Sequence, residues 1–176
     1  MITFKQFLKL NENATSHSDG FRLIHYAGKP LEHLSTEHHG SGIADAADRR
    51  LRNDGEDKSP VSKRIYFYTQ HHNGKMPEPE AGLGNHVHEL DHSKLKLYDH
   101  TKASKEDADI VKQHHDHFVK TKGVSSATAH ELAIHHAGYD GYVNHDARMA
   151  VIMGHKKEVP VKHIGEKSKF EMEKRF

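Results

Sequence analysis

The chain has 176 residues, 34% of them apolar, enough for one compact domain with a single lean core. Its 26 Lys and Arg nearly cancel 25 Asp and Glu, which excludes the global basic field of a general nucleic-acid binder. Without cysteine it has no disulfide framework and no thiolate chemistry, while its 20 histidines mean that positive charge accumulates on mild acidification. No apolar run approaches the ~20 residues of a membrane span. Charge and Asn stand where a signal peptide would place its apolar core, so neither membrane association nor signal-peptide secretion is expected.

Residues 1–10 read as a short amphipathic helix, with Thr3 as cap and Phe4, Phe7 and Leu8 at helical spacing, followed to residue 20 by a polar linker. A first strand over 21–26 places Leu23 and His25 on one face and Ile24 and Tyr26 on the other, and Gly28 and Pro30 end it. Ser41 or Gly42 caps a helix with Ile43, Ala46, Ala47 and Leu51 as its apolar stripe, which leaves Arg49, Arg50 and Arg52 on a solvated face. After a charged loop over 53–62, the clearest strand covers 64–69. Ile65 and Phe67 face the core there, and Tyr66 and Tyr68 lie side by side on the opposite face, either as a stacking platform or as ordinary sheet aromatics.

The glycines and prolines of 71–84 preclude long regular structure. Residues 87–97 read as one or two strands leading to Tyr98-Asp99. Ser104 opens a helix with Ile110, Val111, His114 and Phe118 on its buried stripe, ended by Gly123, and Ser125 or Ser126 opens the next, over 127–137. The turn Gly138-Tyr139-Asp140-Gly141 follows, with a left-handed residue expected at Gly138 and a tight turn closed by Gly141. Two short apolar strands are expected, at 142–143 and 150–153, ahead of Val159-Pro160-Val161-Lys162. Residues 162–176 are alternately charged and read as a surface helix or a frayed tail.

His88-Glu89-Leu90-Asp91-His92 matches the His-Glu-x-x-His pattern of zinc hydrolases, which requires a helix so that both imidazoles reach one ion. On a strand the two would stand ~13 Å apart at ~3.3 Å per residue. No third ligand stands out downstream, and the histidine pairs 38–39, 71–72, 114–115 and 135–136 have no repeated ligand spacing, so no built metal site is expected. Ser41-Gly42 lacks the Gly-x-Ser-x-Gly order of a nucleophile elbow.

In their order the pieces resemble an ADP-ribosyltransferase-like domain of phage-encoded proteins. The resemblance rests on Leu23-Ile24-His25-Tyr26-Ala27-Gly28 at the family's first-strand His, and on Arg64-Ile65-Tyr66-Phe67-Tyr68 at its Tyr-Phe strand. It continues through Leu97-Tyr98-Asp99, Gly138-Tyr139-Asp140-Gly141, Ala150-Val151-Ile152-Met153 and Val159-Pro160-Val161. It implies an α+β fold of split sheets with flanking helices over residues 21–165, between a leader and linker (1–20) and a polar C-terminal tail (166–176). It also implies NAD in a cleft between the sheets and transfer of ADP-ribose to a host protein or nucleic acid. His25 would hydrogen-bond the nicotinamide ribose, Tyr66 would stack on the nicotinamide, and Tyr26, Gly28 and Tyr68 would complete the cofactor site.

The carboxylate that steadies the oxocarbenium-like sugar does not match, because Met149 stands at its position. Asp146 is the first substitute and Asp140 the weaker one. The leader Met-Ile-Thr-Phe-Lys-Gln-Phe-Leu resembles those of packaged tailed-phage proteins, and Leu10-Asn11-Glu12 resembles their Leu-x-Glu cleavage site. Residues 1–12 are therefore expected to meet capsid proteins, and the protein to reside in host cytoplasm or in the virion. The alternatives are a catalytically inactive virion or packaged protein that keeps the fold and, less favoured, the zinc hydrolase.

Overall fold

The computed structural model describes residues 20–36, 42–71, 74–79, 81–153 and 158–173. The leader, and its expected helix and cleavage site, lie outside these residues. The chain is mixed α/β, with three helices and an eight-stranded mixed sheet among the described residues. The sheet is built from β1 (Phe21–Ala27), β2 (His33–Ser35), β3 (Arg64–His71), β5 (His86–Leu90), β6 (Leu97–Asp99), β7 (Gly141–Asn144), β8 (Met149–Met153) and β9 (Glu158–Glu166), in the order β2-β9-β5-β1-β3-β8-β7-β6. Only β6 and β7 run parallel; the other neighbours are antiparallel. A separate parallel pair joins β4 (Met76–Pro77) to β10 (Met172–Glu173).

β1 and β3 hold each other only from Phe21↔His71 to Ile24↔Tyr68. Past that rung they part: β1 continues on β5 as far as Ala27↔His86, and the first half of β3 continues on β8 as far as Arg64↔Met153. The eight strands remain one hydrogen-bonded sheet rather than two split sheets, with a local seam where β1 and β3 diverge beyond Ile24↔Tyr68.

Strand alternation decides what each face of the sheet buries. Ile65 and Phe67 join Phe21, Leu23, Leu90, Val143, Ala150 and Ile152 in one core, as their period-two spacing implies. The opposite face has two covers. Helices α1 (Gly42–Asn53), α2 (Lys105–Lys122) and α3 (Ser126–His136) close over Met153 and Tyr142 through Leu51, Val111, Phe118, Leu132 and Ile134. Over β1 and β5, Ile24, Tyr26, Tyr68 and Val87 lie under Met76, Phe170 and Met172.

The caps are those the residues dictate. Ser104 Oγ accepts the Asp107 N–H and Ser125 Oγ the Thr128 N–H, while Gly123, at φ 66°, ends α2 in the left-handed region. Gly138 is left-handed as expected, at φ 84°. Gly141 is needed for another reason than the tight turn expected of it: it begins β7, and a Cβ there would lie 2.0 Å from the Val151 carbonyl oxygen.

One expectation holds and one is corrected. The histidine motif lies on strand β5 and on the 3₁₀ turn His92–Lys94, in line with the strand reading of 87–97, so it lacks the helix that the zinc pattern requires. The stretch from Lys162 onward continues β9 to Glu166, then a 3₁₀ turn and β10, because Ile164, Phe170 and Met172 pack against Tyr26 and Met76. Spaced among charges, these apolar residues show no period in the sequence. No helix of the described residues is long and apolar enough to cross a membrane.

Gly141→Ala forces backbone apart on two paired strands, so it should destabilise the fold by about 1–3 kcal/mol or more, as core overpacking does. Urea unfolding of the variant beside the parent checks this.

Candidate functional site

The seam where β1 and β3 diverge is spanned by His25. Its Nδ1 lies 3.0 Å from the Tyr66 carbonyl oxygen, and its ring packs 5.7 Å from Phe67. A carbonyl only accepts, so Nδ1 carries the proton and Nε2 is left as the lone-pair nitrogen. Burial holds the imidazole below its ordinary pKa, only partly offset by the bond to Tyr66. At neutral pH the ring is an uncharged acceptor.

Tyr66 turns its side chain to the opposite face from His25's neighbour Phe67, toward a polar cluster that the sequence reading missed. Glu131 of α3, 5% exposed, receives Arg64 Nη1 on Oε1 at 2.6 Å and Arg50 Nη2 on Oε2 at 2.5 Å. The Tyr142 hydroxyl donates to Oε1 at 3.3 Å, and Arg64 also donates to the Val61 carbonyl at 2.6 Å. Burial raises the pKa of both Tyr66 and Tyr142, and the Glu131 carboxylate adds to the rise, so both remain phenols. Arg50, expected on a solvated face, is thus half of a helix-to-helix tie. The signal available was a lone Glu among Ala129, Leu132, Ala133 and Ile134, all buried.

The remaining expected residues are not gathered at the seam. Tyr26 and Tyr68 are 3% and 8% exposed, meet edge to face at 5.7 Å, and Tyr26 donates its hydroxyl to the Pro77 carbonyl at 2.5 Å. They fill the core under β4 and β10, so Tyr66 and Tyr68 do not form an open platform. Gly28 is exposed, and a Cβ there would meet nothing within 4 Å. The glycine that does permit close approach is Gly84, at φ 57°, where a Cβ would lie 2.1 Å from the Ala27 carbonyl. Asp146 is exposed in the turn beyond the last β7–β8 rung, Asn144↔Met149, whereas Tyr66 is opposite Val151 farther along β8. Asp140 is occupied structurally: its carboxylate accepts the Lys96 N–H at 2.9 Å and its carbonyl the Met153 N–H at 2.9 Å.

The zinc motif is dispersed by the strand. His88 is fully buried and accepts the Leu31 N–H on Nε2 at 2.9 Å, Glu89 is paired with Arg22 at 2.7 Å, and His92 stacks on Phe21 at 5.0 Å. Among the described residues no group of three or more His, Asp or Glu is arranged to hold a metal ion. Set against known proteins, the chain matches no family model, no curated protein and no solved structure.

Glu131→Gln strips the charge facing buried Arg64, and should cost about 3–5 kcal/mol in urea unfolding, the range for breaking a buried pair. Arg50→Ala should cost less, since its side chain is 30% exposed. Acid sensitivity follows from His88, which burial first, then His163 and His25, hold down to about 4. The unfolded chain takes up that proton at ~6.5. Stability is therefore intact above about pH 6.5 and falls as pH drops toward 4. The urea midpoint should decline over that window, and less steeply in His88→Asn.

Proposed function

We propose that the chain is an ADP-ribosyltransferase-like domain that binds NAD at the seam between β1 and β3. The observation that carries this reading is the fixed tautomer of His25: with Nδ1–H committed to the Tyr66 carbonyl at 3.0 Å, Nε2 is a neutral acceptor suited to a ribose hydroxyl. The parting of the two strands beyond Ile24↔Tyr68 supports it, because it opens a local gap in the sheet beside that histidine. Tyr66 lies on the strand that His25 bonds and contributes its carbonyl, while its ring is turned to the opposite face toward Glu131.

Transfer of ADP-ribose to a host macromolecule asks for a carboxylate as well. Asp146 reaches the seam only if the β7–β8 turn rearranges, and both oxygens of Glu131 are already bonded. That observation favours, as the second reading, a virion or packaged protein that keeps the fold without catalysis.

Calorimetric titration of the full chain with NAD, followed by assay of the same sample for released nicotinamide, separates the two. Binding weakened about tenfold by His25→Ala, the loss of one hydrogen bond to ligand, is the expected result. Nicotinamide release that Asp146→Ala abolishes would establish cleavage of the glycosidic bond, with water taking the ADP-ribose where no acceptor is present. Absence of heat at millimolar NAD would overturn the nucleotide reading.

A further inference from the structure

β5 and β9 pair regularly through His86↔Glu166 and Val87↔Gly165, and then the register breaks, so that His88 is opposite His163 and Ile164 is passed over. Bulges of this kind re-aim a side chain. Here Gly165 makes room for one: it takes φ 146°, in a region that favours glycine, and a Cβ would press on the Phe170 ring at 3.3 Å. Had the regular register continued, Ile164 would face His88. The bulge replaces that apolar residue with His163, whose ring centroid lies 5.2 Å from those of both His86 and His88.

His86 Nδ1 and His163 Nε2 are 3.2 Å apart. Two imidazole nitrogens on one tetrahedral zinc, each at about 2.0–2.1 Å, are separated by about 3.3 Å along the edge of the tetrahedron. The pair already has that spacing. His86 is partly exposed and His163 exposed, so both rings can turn to aim their lone pairs at one point and an ion can enter from solvent. His88 is not a third ligand, because its Nε2 is taken by the Leu31 N–H.

We propose that His86 and His163 form a cross-strand clamp for a divalent zinc ion, with water completing the coordination. In the free pair one ring donates its N–H to the other. On binding, that proton moves to the far nitrogen of its own ring, and both near nitrogens become ligands. The ion would staple β5 to β9 at the bulge, independently of any nucleotide at the seam.

The test is a calorimetric zinc titration of the metal-free full chain and of three surface variants. The expected result is that the tightest zinc ion is bound at least about tenfold more weakly by His86→Asn and by His163→Asn, the lower end of what even an outer-shell partner contributes. His114→Asn, which alters the separate His114–His136 pair, should leave that ion's affinity unchanged. Equal zinc affinity in the parent and both clamp variants, or no zinc binding by the parent, would overturn the proposal.

Discussion

The buried carboxylate of Glu131 is what couples the helical layer to the sheet. Its two oxygens take Arg50 from α1 and Arg64 from β3, while its own helix contributes the apolar wall of Leu132, Ala133 and Ile134. A guanidinium at 3% exposure tolerates burial only with a charge partner, and Arg64 has Glu131 on Nη1 and the Val61 carbonyl on Nη2, although its buried Nε has no hydrogen-bond partner among the described residues. The pair adds less to stability than its Coulomb energy suggests, since both ions were stripped of water. What it supplies is geometry: one arrangement of α1, α3 and β3 satisfies all three charges together.

The same strand carries the seam. Arg64 at the start of β3 is tied into the helical layer, while Tyr68 farther along is enclosed with Tyr26 beneath Met76 and Met172. Each half of β3 thus belongs to a different packing unit, and the place between them is where β1 departs and His25 reaches across to the Tyr66 carbonyl. A backbone carbonyl at a strand divergence has no ladder partner on that side, and an imidazole N–H meets the need. A structural demand and a chemical opportunity coincide, because satisfying the carbonyl sets the tautomer that leaves Nε2 as an acceptor.

Histidine serves in this chain through packing as much as through charge. His88 is a buried acceptor for the loop N–H of Leu31, His92 stacks on Phe21, and His145 bonds Asp99 at 3.0 Å beside the edge of the same Phe21 ring. The accumulation of positive charge expected on mild acidification therefore excludes His88, which burial holds neutral. Composition counts imidazoles; the environment of each one decides whether it titrates near neutrality.

The local signals were readable where the cause is local. Ser104, Ser125, Gly123 and Gly138 mark helix ends because capping involves residues three or four apart, and Ile65 and Phe67 mark a buried face because a strand alternates with period two. Of the site, His25 and Tyr66 were identified from sequence as the residues of interest, and they do meet, though through the tyrosine's backbone rather than its ring. Glu131, the role of Arg50, the enclosure of Tyr68 and the pairing of β10 with β4 were not readable. Each depends on partners tens of residues away, brought together by sheet order. The sequence by itself determined the helices with their caps and the apolar faces of the longer strands, but not β2, β4 or β10. Only the tertiary structure decided which strands part, which charges are buried and which histidines face each other, because those outcomes follow from pairing register between distant strands, and no local period encodes it.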